Sequence, residues 1–441
     1  MRKLLAILVC RIVRIVGRIV GKGSSLPGKY ALKICPDILR RIRLPKTVIA
    51  VTGSNGKTST VEMIATVLKA SGKTVAYNAE GSNQIEGVAT MILNACTLGG
   101  RMKQDVLLIE SDERYAKHTF RWFKPTHYVI TNLYRDQLTR NGHPEWVFDA
   151  ITESIFDETT LILNADDPTV SLFGRGRSKV KWFGLAHTSI DADRFVGAYN
   201  DGLYCPVCGK PLIYDYYHFN HIGQYRCSAC GFARHDTDFT VTDIDLPNGR
   251  ITINGTSEIP LAFRSIYNIY NVLACYAVCT MVGISADEVA RHIGNYIIKN
   301  GRYIEFTLGK HPGTFLIAKH ENSVSYDMSF KYAMSQGVAC SVVIIVDAVS
   351  RKYFTSETSW LWDINSDLLQ SDTVKNIYLC GKYCHDLAAR FAFTAIAPEK
   401  LHVYQDIDEA CAAIKASGDE QLYAVTCFSD REKFLSNTER K

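Results

Sequence analysis

The sequence predicts an α/β protein: a central domain built on a parallel sheet with a phosphate loop, a small four-cysteine insert within it, and a separate C-terminal α/β domain. Three observations predict this. The apolar run Leu44–Thr52 enters a glycine turn and then a helical stretch, Ser59–Ala70, the strand, loop and helix context that phosphate binding requires. Further apolar runs at 105–110, 127–131 and 160–163 alternate with helical stretches, as in a parallel sheet covered by helices. Residues 199–240 break that rhythm with two Cys-x-x-Cys pairs.

In chain order, the first segment is 1–43. The chain of 441 residues has a formal charge of +5, yet residues 1–47 hold twelve Lys or Arg against one acid, Asp37, so the remainder carries −6. A basic segment on an acidic body points to an anionic surface at one end. Arg11, Arg14, Arg18 and Lys22 share one helical face, while Leu8, Ile12, Val16 and Ile19 fall elsewhere. Spanning a bilayer would bury several arginines at roughly 2.5–3.5 kcal/mol each. The segment is therefore expected to lie on the inner membrane surface, with a helix packed on the protein's own core as the alternative. Charge interrupts the apolar stretch and no small-residue cleavage site follows, which argues against a signal peptide. Ten of the fourteen cysteines are scattered in apolar runs, as in a reducing cytoplasm.

Residues 44–300 form the expected ATP-binding domain. In Thr52-Gly53-Ser54-Asn55-Gly56-Lys57-Thr58, glycines let backbone amides turn around phosphate oxygens; Lys57 would neutralise the β- and γ-phosphates, and Thr58 would ligate Mg²⁺. Val51 stands where a strict Walker A motif has glycine. The loop, with Ser59 after it, resembles the TGxNGKT[ST] variant of the Mur ligases and folylpolyglutamate synthases. That resemblance places a Mg²⁺-binding glutamate at Glu110, in Glu110-Ser111-Asp112-Glu113. It matches Asn132-Leu133-Tyr134-Arg135-Asp136-Gln137-Leu138 to the family's NxxxDHL segment, with Gln137 where many members carry a metal-binding histidine. It also implies nucleotide-site roles for Asn164 and Asp167 in the Asn-x-Asp-Asp-Pro turn, for Asn268 and Asn271 at the start of a helix from about 268 to 282, and for Arg302 in a Gly-Arg-x-x-Glu motif.

Within this domain, Cys205, Cys208, Cys227 and Cys230, with eighteen residues between the pairs, fit a four-cysteine zinc ribbon. Four protein ligands make a closed site, so the zinc is expected to be structural. A nucleic-acid-binding ribbon is the rival, but the surroundings are not notably basic, and no nucleic acid partner is expected.

Residues 301–441 read as the C-terminal domain, with strand-like runs at 314–318, 340–347 and 376–380. The order of the motifs, from Gly23-Ser24-Ser25-Leu26-Pro27-Gly28 through the ribbon to Ser359-Trp360-Leu361-Trp362-Asp363 and Gly381-Lys382, resembles the MurT-type branch of the Mur ligases. The resemblance implies an ATP- and Mg²⁺-dependent subunit that activates the α-carboxylate of D-glutamate in the lipid II stem peptide, for attack by ammonia from a GatD-type glutaminase. No G-x-C-x-G elbow of a glutaminase nucleophile is found, which fits a second polypeptide. In that branch an aspartate three residues before the SWxWD tryptophan completes the partner's triad; here the position is Glu357, and Asp363 is the fallback. Val346–Ser356 and Lys319-His320-Glu321-Asn322 also depart from the branch's pattern. The alternatives are a Mur-like ligase that joins an amino acid to a carboxylate without a glutaminase, and an inactive nucleotide-binding scaffold.

Overall fold

A computed structural model describes residues 1–19, 24–78, 82–262, 265–296, 303–348, 357–418, 421–427 and 430–440. The chain forms two compact units. The first comprises Met1–Leu133, Pro144–Val196 and Asn200–Ile298; the second comprises Tyr134–His143, Gly197–Tyr199 and Lys299–Lys441.

The strands of the first unit are β1 (Thr47–Thr52), β2 (Val75–Tyr77), β3 (Val106–Glu110), β4 (His127–Ile130), β5 (Thr160–Asn164), β6 (Val180–Leu185), β7 (Ile213–Phe219), β8 (Ile222–Arg226), β9 (Phe239–Asp245), β10 (Arg250–Ile253) and β11 (Ser257–Pro260). Nine of the described strands form one sheet in the order β11-β10-β9-β6-β5-β4-β1-β3-β2, and β7 and β8 form a separate hairpin. Every pairing from β2 to β9 is parallel, while β10 and β11 are antiparallel. Strands in such a sheet are covered on both faces, which is why the middles of β1 (48–51) and β3 (106–109) are unbroken apolar runs. Successive connections diverge around β1, so its carboxyl end is where a ligand crevice is expected.

The basic N-terminal segment is part of this unit. Helix Arg2–Ile19 packs on helix Leu26–Ile34, which packs on helix Ile85–Ala95. Ile7, Cys10, Ala31, Ile38, Val88 and Ile92 join one buried cluster with the sheet residues Leu107 and Ile109. Gly28 makes the crossing possible: a Cβ there would collide with the Glu86 carbonyl, and the Gly28 amide donates to Thr90 Oγ1 at 2.8 Å. No helix among the described residues is long and apolar enough to cross a membrane.

The second unit contains β12 (Tyr303–Leu308), β13 (His311–Ala318), β14 (Cys340–Ile345), β15 (Val374–Cys380), β16 (Leu401–Tyr404), β17 (Gln421–Cys427) and β18 (Glu439–Arg440), in the order β16-β15-β14-β17-β13-β12-β18. The sheet is parallel from β16 to β13, with β12 and β18 antiparallel at one edge. Side chains alternate along β14, sending Val342 and Ile344 into a cluster with Phe330 and Trp360, and Val343 and Ile345 into one with Phe315 and Phe434.

Helix Ser323–Ser335 carries Asp327, whose carboxylate accepts the Asn365 amide at 2.8 Å. Burial outweighs that bond and the charges of Lys331 and Arg390, and pushes the carboxyl up to about 7. A carboxyl whose folded pKa lies above its unfolded value favours folding below the unfolded pKa, and this contribution is lost as pH rises through about 7. Asp327→Asn should therefore raise thermal stability at pH 8, by about 1–3 kcal/mol, and change it little at pH 4. Melting curves of both proteins across that pH range are the check.

Candidate functional site

The turn after β1 is held open by backbone geometry. Gly53 has φ +134° and Gly56 has φ +85°; a Cβ at Gly53 would collide with Thr131 Oγ1, and one at Gly56 with Asn271 Oδ1. Only glycine meets both demands. Asn132 fixes the turn from the carboxyl end of β4: its carbonyl accepts the Ser54 amide at 2.9 Å, its Oδ1 the Asn55 amide at 2.8 Å, and its Nδ2 donates to the Asn55 carbonyl at 3.1 Å. Thr131 Oγ1 donates to the same carbonyl at 2.9 Å.

Helix Lys57–Ala70 begins at once after Gly56. The buried Lys57 ammonium donates to the Gly53 carbonyl and pairs with Glu113. The Thr58 and Ser59 side chains are half-buried on the first turn, with no side-chain partner among the described residues. Glu110, the sequence candidate for Mg²⁺, is buried and accepts Asn83 Nδ2 at 3.3 Å. It is thus Glu113, three residues on and only quoted as part of a motif, that meets the lysine. Buried oxygen donors beside a phosphate-binding turn suit a hard divalent ion, so Thr58, Glu110 and Glu113 fit Mg²⁺ in kind.

Asn164 and Asp167 act on this turn from one step back. Asn164 Nδ2 donates to the Thr131 carbonyl at 3.0 Å. Asp167 accepts the Leu133 amide at 2.8 Å on one oxygen and caps the helix Pro168–Ser171 through the Thr169 and Val170 amides on the other. Asn268 opens helix Ile266–Met281, its amide donating to the capping Ser265 hydroxyl, and Asn271 one turn later faces Gly56 and accepts Thr60 Oγ1 at 3.4 Å. Arg302 lies outside the described residues.

The cysteine insert contains the same turn twice. In the first pair the Cys205 amide donates to the Lys210 carbonyl and the Gly209 amide to the Cys205 carbonyl; in the second, Cys227 donates to Phe232 and Gly231 to Cys227. Gly209 and Gly231 have φ of +69° and +75°. All four sulfurs lie within 4.8 Å of one another, with Cys205 to Cys230 at 3.6 Å and Cys208 to Cys227 at 3.5 Å. A tetrahedron with Zn–S bonds of about 2.3 Å has edges of about 3.8 Å, so the quartet fits zinc.

Asp166, which sequence reasoning passed over, ties the insert to the sheet. Its carboxylate accepts Arg234 Nε at 2.6 Å, Tyr270 Oη at 2.6 Å and the Leu185 amide at 2.8 Å. Tyr225 Oη, from the insert's hairpin, donates to the Ala165 carbonyl at 3.1 Å. Burial lowers the pKa of the His221 imidazole, yet Asp167, 3.7 Å away, outweighs burial, and the pKa is raised.

In the second unit Asp363 is already paired. Arg135 Nη1 lies 3.2 Å from its carboxylate, and the guanidinium sits over the Tyr199 ring at 3.2 Å from the centroid. The neighbouring Asp136 pairs with Lys319 and accepts Asn322 Nδ2 at 2.9 Å, which gives the divergent segment 319–322 a holding role. Gln137 and Glu321 both adopt left-handed φ, +50° and +49°, and the Gln137 amide donates to the Glu321 carbonyl at 2.9 Å. Glu357 is exposed and accepts the Ser359 amide at 2.7 Å at the start of the short helix Ser359–Asp363; that bond lowers its pKa. The exposed rings of Trp362, in that short helix, and Phe393 lie edge to face, their centroids 5.3 Å apart.

Comparison with known proteins matches residues 51–210 to the Mur ligase middle domain and residues 320–430 to the MurT ligase C-terminal domain. The chain is 28% identical over 416 residues to the lipid II isoglutaminyl synthase (glutamine-hydrolyzing) subunit MurT of Staphylococcus aureus, covering 93% of this chain and 92% of that one. It is 27% identical to the MurT subunit of Streptococcus pneumoniae, covering 94% and 92%. Among solved structures, a type C pseudomurein peptide ligase from Methanothermus fervidus aligns with a TM-score of 0.71 at 21% identity, covering 91% of this chain and 80% of that one. MurF from Acinetobacter baumannii aligns at 0.66 and 17%, covering 92% and 79%. The fold is that of the Mur ligases.

Two outcomes follow from the geometry. Zinc removal by a chelator, or Cys208→Ser, should lower the melting temperature by several degrees and take the metal content below one zinc per chain, read by elemental analysis. Gly56→Ala should weaken Mg-ATP binding at least tenfold in calorimetry, because the added methyl displaces Asn271 and strains a left-handed residue at a cost of about 1–2 kcal/mol.

Proposed function

We propose that this chain, a homologue of the MurT subunits built from a Mur ligase middle domain and a MurT ligase C-terminal domain, activates a carboxylate of a peptidoglycan precursor with ATP for amidation. The acceptor in this proposal is the α-carboxylate of D-glutamate in the lipid II stem peptide, and the source of ammonia is a GatD-type glutaminase. The relatives are glutamine-hydrolyzing subunits of a lipid II isoglutaminyl synthase, which supports both. The observation that carries the reading is the turn 53–58 at the start of helix Lys57–Ala70, with the Lys57 ammonium between the Gly53 carbonyl and Glu113.

A carboxylate is a poor electrophile, and two transfers overcome this. A carboxylate oxygen attacks the γ-phosphorus of ATP and ADP leaves, giving an acyl phosphate. Ammonia then attacks the acyl carbon, inorganic phosphate leaves, and the nitrogen sheds a proton. Phosphoryl transfer of this kind is helped chiefly by positioning and charge. Lys57 leaves Glu113 for the β- and γ-phosphates, and the first-turn amides of helix Lys57–Ala70 face the same oxygens. Thr58 with Glu110 or Glu113 would hold Mg²⁺, which when bound would supply charge neutralisation on the triphosphate. Zinc at the four cysteines is structural.

Of the two carboxylates considered for the partner's triad, Asp363 is engaged by Arg135 while Glu357 lies exposed, two residues before the short helix that carries the exposed Trp362 ring. Glu357 is therefore the one this reading assigns to orienting a histidine of the glutaminase, with the rings as partner surface. Membrane contact through the N-terminal segment completes the reading, because the acceptor is lipid-linked.

Lys57→Ala should reduce ADP release with lipid II and ammonium by roughly a hundredfold or more. Absence of amide formation by the unaltered protein with any lipid-linked precursor, ammonium and ATP would sink the reading. Glu357→Gln should lower glutamine-driven amidation with the partner present, and leave ammonium-driven amidation unchanged; an equal loss of both would remove Glu357 from the triad.

A further inference from the structure

The two cysteine pairs stand at the base of one hairpin. Cys208 precedes β7, Cys227 follows directly on β8, and Tyr225 of β8 packs in one buried cluster with Cys205, Leu212 and Cys227. At the other end Phe219 pairs with Ile222, so Asn220 and His221 form a two-residue tip. Asn220 takes a left-handed φ of +46°, which asparagine tolerates. Strands of seven and five residues, at about 3.3 Å per residue, carry this tip roughly 15–20 Å along the hairpin. Such a tip is normally in solvent. Here His221 is 0% exposed.

What the tip meets is the turn that braces the phosphate loop. His221 Nε2 lies 3.7 Å from Asp167 Oδ2, the oxygen that accepts the Leu133 amide. Burial works against a charge on this ring, and Asp167, Asp201 and the Leu133 backbone outweigh it. Leu133 follows Asn132, which holds residues 54 and 55 of the phosphate turn through its carbonyl and its side-chain amide. A second line of contact runs beside the first. The Gly223 amide donates to the Asp166 carbonyl at 3.0 Å, and Asp166 Oδ2 accepts Tyr270 Oη at 2.6 Å. The Phe219 ring packs on Tyr267 and Tyr270, its centroid 4.3 Å and 5.5 Å from theirs. Tyr270 precedes Asn271, which faces Gly56. A buried ion pair is a weak source of stability, and its better-attested use is to fix one geometry.

We propose that the cysteine insert sets the geometry of the nucleotide site through the hairpin β7–β8, with His221 as a positioning residue. The four cysteines, closed on zinc, fix the base of the hairpin. Its tip holds Asp167, and through it Leu133 and Asn132, in the arrangement that keeps residues 54 and 55 of the phosphate turn in place. This role rests on the reading above that the turn binds ATP. It takes the cysteines beyond stabilising their own fold, because metal at one end of the hairpin then governs a nucleotide held by other residues at the far end.

The test uses the full chain and compares His221→Gln, which keeps a donor near the place of Nε2, with His221→Asn, whose reach is shorter. His221→Asn should weaken Mg-ATP binding by about tenfold in calorimetry and raise KM for ATP alike, with KM for the lipid-linked acceptor within about twofold and zinc still at one per chain. His221→Gln should restore most of the loss. In the nucleotide-free protein the Ser54, Asn55 and Leu133 amides should exchange hydrogen faster in His221→Asn than in the parent. Removing zinc from the parent should weaken Mg-ATP binding to a like degree, and removing it from His221→Asn should add little, because both act through one hairpin. A lower melting temperature with Mg-ATP affinity within about twofold of the parent would make His221 a plain core residue and overturn the proposal. Fully additive losses from zinc removal and His221→Asn would overturn the route through the hairpin. Unchanged exchange at the three amides in the zinc-free parent would overturn it as well, and needs no substitution. Any of these results, with amidation by the parent intact, leaves the amidation reading standing. Exchange at Leu133 that depends on His221 and zinc, in a chain that binds no Mg-ATP, would sink the reading of the turn and leave the coupling of insert and turn in place.

Discussion

The constraint on which the first unit depends is that the turn between β1 and its helix has too little side chain to hold itself. Its two glycines give the backbone freedom to curl, and that freedom has to be removed from outside. Asn132 removes it with three hydrogen bonds to residues 54 and 55. The strand end bearing Asn132 is itself fixed by Asn164 and Asp167. A loop preorganised in this way loses little further entropy when an anion arrives, which is the advantage of fixed amides over long flexible cations.

Much of this was legible in the sequence because it is written in local chemistry. The strand and glycine turn at 47–56, the repeated Cys-x-x-Cys-Gly, and the parallel runs of aliphatics each dictate a conformation within a few residues. Strand ends are less local: the apolar run predicted from Leu44 becomes a strand only at Thr47, and β17, with its apolar Leu422–Val425, was passed over. What could not be read were pairings across hundreds of residues. Glu110 and Glu113 look equivalent in Glu-Ser-Asp-Glu, and only the sheet's geometry decides that Glu113 reaches Lys57. Asp166 sits in a recognised turn, but its partners, Arg234 and Tyr270, lie 68 and 104 positions away.

The second unit shows the same limit from another side. Asp363 and Glu357 are both carboxylates in one conspicuous motif, and nothing local separates them. Arg135 does, by occupying Asp363. The strained pair Gln137 and Glu321 is similarly invisible in sequence: neither is a residue that favours left-handed backbone, and each persists because a backbone hydrogen bond joins them. Backbone strain of about 1–3 kcal/mol survives only where the surroundings enforce it.

Gly28 carries one more implication. Because helix Leu26–Ile34 is pressed against Ile85–Ala95 closely enough to exclude a Cβ, and helix Arg2–Ile19 packs on it, the charged beginning of the chain is not an appendage that can be trimmed for convenience. Cutting it away would expose Val88 and Ile92 to water and leave the flank of β3 bare. Fragments for biophysics therefore have to retain both leading helices, and the exposed side chains of Leu5, Ile12, Ile15 and Val16 come with them into the test tube.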